Sequence, residues 1–229
     1  MKEKIDGLVE KAKQGPAWLR AGVSAIPWAG GALDHLLFDK AGEIRMQNVE
    51  KTLDAMKDKL GSIDESMVSK EWFESEEALD MFKNLLQKIE FEGDKDKIKA
   101  LSAVYCLFGT NEHKDDPNKF AVLDILSKLT NNQRVIFKVV NEVPQETKTI
   151  TEDVMQYTAT AKWQSTMLNY CNSNFQIRQE LKGHVKLDVE LEILTAFNLL
   201  VNMDVASSKD TAYRVSELGK LAYSYLKEV

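Results

Sequence analysis

Residues 187–229 read LDVELEILTAFNLLVNMDVASSKDTAYRVSELGKLAYSYLKEV, and this stretch decides the fold that we expect for the end of the chain. Its apolar side chains recur at intervals of three and four residues from Leu187 onward, which is typical of one buried helix face. The spacing predicts a helix over 187–203. Ser216 is a residue type that caps helix N-termini, so a final helix is expected over 217–229.

Two short runs between these helices have the composition of β-strands. They cover 203–206 and 212–215, and the polar residues 204–210 predict a turn between them. Helix, two-stranded ribbon and helix, in this order, are the closing elements of a winged helix. We therefore expect 120–229 to form a winged-helix-like domain with a small two-stranded β-wing.

The first 61 residues are expected to form an N-terminal helical region. Its long helix carries a seam of apolar side chains spaced by three and four residues, namely Met46, Val49, Leu53, Met56 and Leu60. The seam lasts only about two heptads, which is short for a free coiled coil. We expect it to pack on a neighbouring helix of the same chain.

Residues 62–119 are rich in acidic side chains and are expected to form a helical hairpin. Ser75 is placed to cap an amphipathic helix, and a second helix is predicted over 97–108. The Gly, Asn, Asp and Pro residues of 109–119 indicate an exposed loop, where we place a domain boundary. The predicted fold is thus mainly α, with N-terminal helical hairpins or a bundle before the winged-helix-like domain.

The composition and the motifs favour a protein without catalytic chemistry. Phosphate-binding loops, nucleophile elbows and metal-ligand pairs of histidines do not occur in the sequence, so we expect no catalytic residue, no metal and no cofactor. The formal net charge of -6 disfavours non-specific binding to nucleic acid or to an anionic membrane. Two isolated cysteines and a charged start, MKEKIDGLVEKAKQ, favour the reducing cytoplasm.

Residues 16–38 form the most apolar stretch of the chain and are the candidate interaction or membrane surface. No uncharged apolar run of about 18 residues occurs, so a single spanning helix is not expected. The stretch is compatible with a tight buried crossing of helices, and also with a hairpin that contacts the inner face of the membrane peripherally. Its candidate residues are Trp18, Ile26, Pro27, Trp28, Gly30, Gly31, Leu36, Leu37 and Phe38.

Binding of DNA through the winged-helix-like domain is an alternative function. The basic residues that would contact nucleic acid are Arg178, Lys182, Lys186, Lys209 and Arg214. The helix before the wing begins with Asp188, Glu190 and Glu192, whose carboxylates would repel phosphates. We therefore expect this domain to serve protein contact or self-association in preference to DNA binding.

Four segments, in this order, carry a resemblance to a known family. They are IPWAGGALDHLLFDKAGEIR, EEALDMFKNLLQKIEFEGDKDKIKALSAVYCLF, LSKLTNNQRVIFKVV and RVSELGKLAYSYL. The layout resembles bacterial abortive-infection proteins of the Abi-alpha family. The resemblance implies a role in limiting phage propagation through protein or membrane contacts, without catalytic residues. A non-enzymatic interaction protein of a bacterial defence or stress system is the function that we expect.

Overall fold

The computed structural model describes residues 40–142, 177, 179, 181, 185–203 and 212–227. Within these ranges the chain is mainly helical, with one two-stranded antiparallel sheet, which confirms the predicted fold class at this level. The chain divides into two compact units, Met1–Ser127 together with Val229, and Lys128–Glu228. We call them the first and the second unit.

The described elements follow the chain in a simple order. The first unit contains α1 Lys40–Ser62, a 3₁₀ turn Glu65–Met67, α2 Lys70–Phe73, α3 Glu76–Ile89, α4 Lys95–Phe108 and α5 Lys119–Lys128, whose last residue belongs to the second unit. The second unit continues with α6 Asn131–Glu142, α7 Leu187–Ala196, β1 Leu200–Met203, β2 Ala212–Val215 and α8 Glu217–Leu226.

α4 is the central helix of the first unit. Every residue from Ala100 to Phe108 is buried, because α1 and α3 both pack on this helix. The Tyr105 hydroxyl, near the end of α4, donates to the carbonyl oxygen of Ala78, near the start of α3, at 3.1 Å. The two helices therefore run antiparallel, and the predicted hairpin is confirmed.

The long helix α1 packs on α4 of the same chain, as predicted, but through a slightly different row of side chains. Met56 and Leu60 are buried, whereas Val49 and Leu53 are only half-buried. The buried row continues through the polar residues Asn48 and Thr52 (the Met46 side chain lies outside the described residues). Asn48 tolerates burial because its amide donates to backbone carbonyls after α3, and the Thr52 hydroxyl donates to the Asn48 carbonyl at 2.8 Å.

Side chains cap the starts of α3 and α6, and the first of these caps is predicted above. Ser75 accepts a hydrogen bond from the Ala78 N–H at 3.2 Å, which caps α3. Thr130 and Gln133 form a reciprocal capping box at the start of α6, since each side chain accepts from the backbone N–H of the other, at 3.2 and 2.9 Å. These contacts are local in sequence, which explains why the residue types predict them.

The predicted loop over 109–119 is confirmed except for its last residue, Lys119, which begins α5; its tip is exposed but its start is anchored. Gly109 and Thr110 are buried, and the Gly109 carbonyl accepts from the Ser69 N–H at 2.8 Å. A Cβ atom on Gly109 would collide with the Phe73 ring and would lie 2.8 Å from the Trp72 ring. The loop therefore begins in close contact with α2.

In the second unit, the helix predicted over 187–203 is too long, because α7 ends at Ala196. Asn198 adopts a positive φ of 58°, and the Leu199 N–H donates to the Leu194 carbonyl at 3.0 Å. This is a Schellman ending, in which a left-handed residue lets the backbone satisfy the last helical carbonyls. Leu194 and Leu199, which flank the turn, are both fully buried, and this burial favours the early end.

Because α7 ends early, the first strand begins earlier in the chain than predicted. β1 covers Leu200–Met203, so it begins three residues before the predicted range 203–206, of which 204–206 lie outside the described residues. It pairs antiparallel with β2, whose predicted range 212–215 is correct. Ser216 caps α8 as predicted, because its hydroxyl accepts from the Gly219 N–H at 2.8 Å. α7 and α8 both pack on α6, where the Phe137 and Tyr223 rings meet edge to face at 6.4 Å.

Candidate protein-interaction face

α7 is held by buried contacts on one side. Leu191 and Leu194 are buried, and α7 packs on both α6 and β1. The Glu190 carboxylate accepts from the Gln133 side-chain amide on α6 at 2.9 Å, and Gln133 is itself 5% exposed. Because Gln133 belongs to the capping box of α6, this hydrogen bond joins α7 to a fixed point of the second unit.

The opposite side of α7 is open to solvent. We define the outer face of α7 as its four exposed residues Asp188, Val189, Glu192 and Ala196. Val189 is 44% exposed, which is high for a branched apolar side chain in a packed helix. The face combines two carboxylates with two small apolar side chains and contains no basic residue.

The ribbon adds a second exposed pair. Val201 on β1 lies opposite Arg214 on β2, and both side chains are exposed, Val201 at 37%. Leu200, the residue before Val201, is buried, as the alternation of side chains along a strand requires. Leu200 therefore fixes the start of the ribbon in the core, whereas the Val201–Arg214 pair presents a valine and a guanidinium group to solvent.

The structure describes only part of the set of residues that the sequence singles out. The N-terminal candidates Trp18, Ile26, Pro27, Trp28, Gly30, Gly31, Leu36, Leu37 and Phe38 lie outside the described residues, as do Arg178, Lys182 and Lys209. Lys186 and Arg214 are described, and both are exposed. Lys186 is the N-cap residue of α7 and makes no side-chain capping hydrogen bond.

Sequence reasoning missed the exposed valines. Val189 lies beside the apolar stripe of Leu187, Leu191 and Leu194 and not on it, which is the one signal that could have identified it. Glu190 is one of the three carboxylates that the sequence predicts to repel phosphates, but it is half-buried and accepts a hydrogen bond from Gln133. The outward negative charge of α7 thus comes from Asp188 and Glu192.

The described part of the first unit contains a buried ionic cluster. Lys119 is 2% exposed, and its ammonium group contacts the Glu77 carboxylate at 3.0 Å and the Lys114 carbonyl. Glu77 also accepts from the Trp72 indole N–H at 2.8 Å, and the ammonium lies 5.3 Å from the Trp72 ring centroid. Together these contacts join the first residue of α5 to the preceding loop, to α2 and to α3. The cluster therefore acts as a structural anchor.

The sequence pattern contained a signal for this anchor too. Lys119, Val122, Leu123 and Leu126 recur at the spacing of one helix face, and all four are buried. A lysine that occupies an apolar stripe must carry its ammonium group to a partner. That partner, Glu77, is 42 residues away in the chain, so it cannot be identified from local spacing.

The reactive groups of the first-unit core are protected by burial. Burial raises the pKa of the Tyr105 hydroxyl and that of the Cys106 thiol well above their ordinary values. The Cys106 thiol faces the Met56 carbonyl oxygen at 3.8 Å. A thiol that stays protonated in an apolar core is inert as a nucleophile.

Comparison of the chain with protein-family models, with curated proteins and with solved structures found no match. Across the described ranges, no group of three or more His, Cys, Asp or Glu side chains is arranged to hold a metal ion. Among the described helices, none combines the length and the apolar composition needed to cross a lipid bilayer.

Proposed function

We propose that this chain is a non-enzymatic protein-interaction component, and that its second unit is a winged-helix-like module that uses the outer face of α7 for protein contact. The observation that carries the proposal is the composition of that face, which holds two exposed carboxylates around an exposed valine. The assignment to a bacterial defence system, of the abortive-infection and anti-phage kind, or to a stress system follows from the resemblance of the sequence to Abi-alpha proteins.

The winged-helix interpretation rests on the order α7, β1, β2, α8. In DNA-binding members of the class, the helix before the ribbon lies in the major groove. Here that helix would point Asp188 and Glu192 at the phosphates, and unpaired carboxylates there oppose binding. The same side chains suit a protein surface that offers lysine or arginine around a small apolar contact.

Charge also predicts how the partner binds. Exposed carboxylates at the rim of an interface mainly steer association and choose between partners, whereas the apolar centre contributes most of the affinity. We therefore expect the complex to weaken as salt is added, and we expect Val189 to be required at any salt concentration.

The test is capture of partners by the tagged full-length chain, with and without phage infection, followed by salt titration of the captured complex. Asp188→Lys with Glu192→Lys should abolish capture, because the face then repels a basic partner. Glu71→Lys with Glu74→Lys is the matched control, since both residues are exposed acids of the first unit. A monomer that captures nothing in either state, or equal loss in both variants, would contradict the proposal.

DNA binding remains the second candidate because Lys186 and Arg214 are exposed in the same unit. A mobility-shift titration at low salt separates the two functions. If the DNA function holds, wild-type protein binds and Lys186→Glu with Arg214→Glu does not. Absence of binding by the wild type removes this candidate.

A further inference from the structure

Phe91 is the most exposed large apolar side chain in the part of the chain that the structure describes. It is 65% exposed and lies in the turn between α3 and α4 of the first unit. Exposure of most of an aromatic side chain costs hydrophobic free energy that burial would recover. An aromatic ring held outward in this way is the kind of residue that anchors an interface.

The turn that presents Phe91 is fixed to α1 by polar contacts. The Asn48 side-chain amide donates to the carbonyl oxygens of Ile89 and Glu92, both at 2.9 Å. Arg45 forms an ion pair with Glu90 at 2.6 Å, and its guanidinium group lies 4.7 Å from the centre of the Phe91 ring. The ring is therefore supported on one side by a cation–π contact and is open on the other.

Glu92 stiffens the second half of the turn. One carboxylate oxygen accepts from the Asp94 N–H at 2.9 Å, and the other pairs with Lys97 at 3.0 Å. Burial opposes ionisation of this carboxyl, but the hydrogen bond from Asp94 and the Lys97 contact together hold the pKa of Glu92 below its ordinary value. A turn that is held from both ends offers Phe91 in a single orientation, which lowers the entropic cost of docking.

A second exposed apolar side chain belongs to α1, the helix that supports the turn. Ile44 is 51% exposed and directly precedes Arg45 in the first turns of α1. We call Ile44, Arg45 and Phe91 the Phe91 platform. α1 begins at Lys40, one helical turn before Ile44, so the platform lies at the point where residues 1–39 join the described helix.

We propose that residues 16–38 of the same chain dock on the Phe91 platform. This segment carries six of the large apolar side chains that the sequence analysis selected, namely Trp18, Ile26, Trp28, Leu36, Leu37 and Phe38. It ends two residues before α1, so its local concentration at the platform is in the millimolar range or higher, about what short tethers give. The proposal concerns the first unit and does not depend on the function proposed for the second.

The composition of residues 16–38 suits this occupant, because the segment is mostly apolar and carries only one acid, Asp34, and one fully charged base, Arg20. In the turn, the Glu90 and Glu92 carboxylates are already paired with Arg45 and Lys97. We therefore expect the docking contact to be apolar, with Phe91 as its anchor.

Hydrogen exchange of the full-length chain, read by mass spectrometry over the peptides of 16–38, tests the proposal. We expect protection of these peptides in the wild type, and we expect exchange to be faster by about tenfold or more in Phe91→Ser, the loss typical of removing one aromatic anchor. Phe120→Ser is the matched control, since Phe120 is a 42% exposed phenylalanine of the same unit on α5. Circular dichroism confirms that both variants are folded.

Each other result overturns the proposal. Peptides of 16–38 that exchange freely in the wild type, or that keep their protection in Phe91→Ser, exclude docking on the platform. Protection that appears only with vesicles of zwitterionic and anionic lipid assigns the segment to a membrane. Protection that rises with protein concentration, together with a dimer in sedimentation, assigns the platform to a second copy of the chain.

Discussion

Lys119 and Glu77 form an ion pair whose two members differ in burial. Removing one member should therefore destabilise the first unit more than removing the other. Lys119 is 2% exposed, whereas the Glu77 side chain is 42% exposed. Removing the carboxylate therefore strands a buried ammonium group, while removing the ammonium leaves a carboxylate that reaches water. We expect Glu77→Gln to destabilise the first unit more than Lys119→Met does.

The magnitudes follow from what each variant leaves behind. Breaking a buried pair costs about 3–5 kcal/mol when the remaining charge is fully enclosed. In Glu77→Gln the Lys119 ammonium keeps the Lys114 carbonyl, the Trp72 ring and an amide oxygen, so we expect a loss of about 2–3 kcal/mol. Lys119→Met keeps the apolar stem in place and loses only the polar contacts, which corresponds to about 1 kcal/mol.

The double variant decides whether the two residues act as a pair. Glu77→Gln with Lys119→Met contains no charge at the cluster, so its loss should be close to that of Lys119→Met alone. Urea unfolding at neutral pH, followed by circular dichroism, gives the three free energies of unfolding. Equal losses in the two single variants, or an additive double variant, would refute the reasoning.

An exposed pair on the same helix serves as the control for that cycle. Lys83 and Asp80 lie 3.1 Å apart, with side chains 52% and 64% exposed. Solvent screens such a pair, so Asp80→Asn should change the free energy of unfolding by no more than about 0.5 kcal/mol. A loss in Asp80→Asn as large as that in Glu77→Gln would show that charge removal on α3, and not burial, sets the effect.

Three further predictions concern other parts of the chain. The folded-state pKa of Glu92 lies below its ordinary value of 4.5, so its stabilisation is present above that pH and is lost as the pH falls through the folded-state pKa. The stability difference between wild type and Glu92→Gln, followed by urea unfolding at decreasing pH, should therefore shrink in acid and not grow. Gly219→Ala should destabilise the second unit by about 1–3 kcal/mol in thermal unfolding, because the new Cβ collides with the Leu199 carbonyl, while Gly61→Ala, with open space around it, should not. Cys106 should resist iodoacetamide in the native protein and react in denaturant, as peptide mass mapping would show, and native labelling would contradict its burial.

Local chemistry explains which features were predictable from the sequence. Ser75 and Ser216 cap their helices as expected, and β2 has its predicted range, since each depends on residues a few positions apart. The candidate site was predictable only in part. The sequence identified the acidic start of α7, but it did not separate Glu190, which bonds to Gln133, from the exposed Asp188.

The sequence by itself determined that this protein is mainly helical and where several of its helices begin. Only the tertiary structure decided that α7 ends at Ala196, that α1 buries Asn48, and that Lys119 lies inside the first unit. The physical reason is the same in the three cases. Each group takes its position because a partner satisfies or covers it. The end of α7 depends on Leu199, Asn48 on carbonyls at the end of α3, and Lys119 on Glu77.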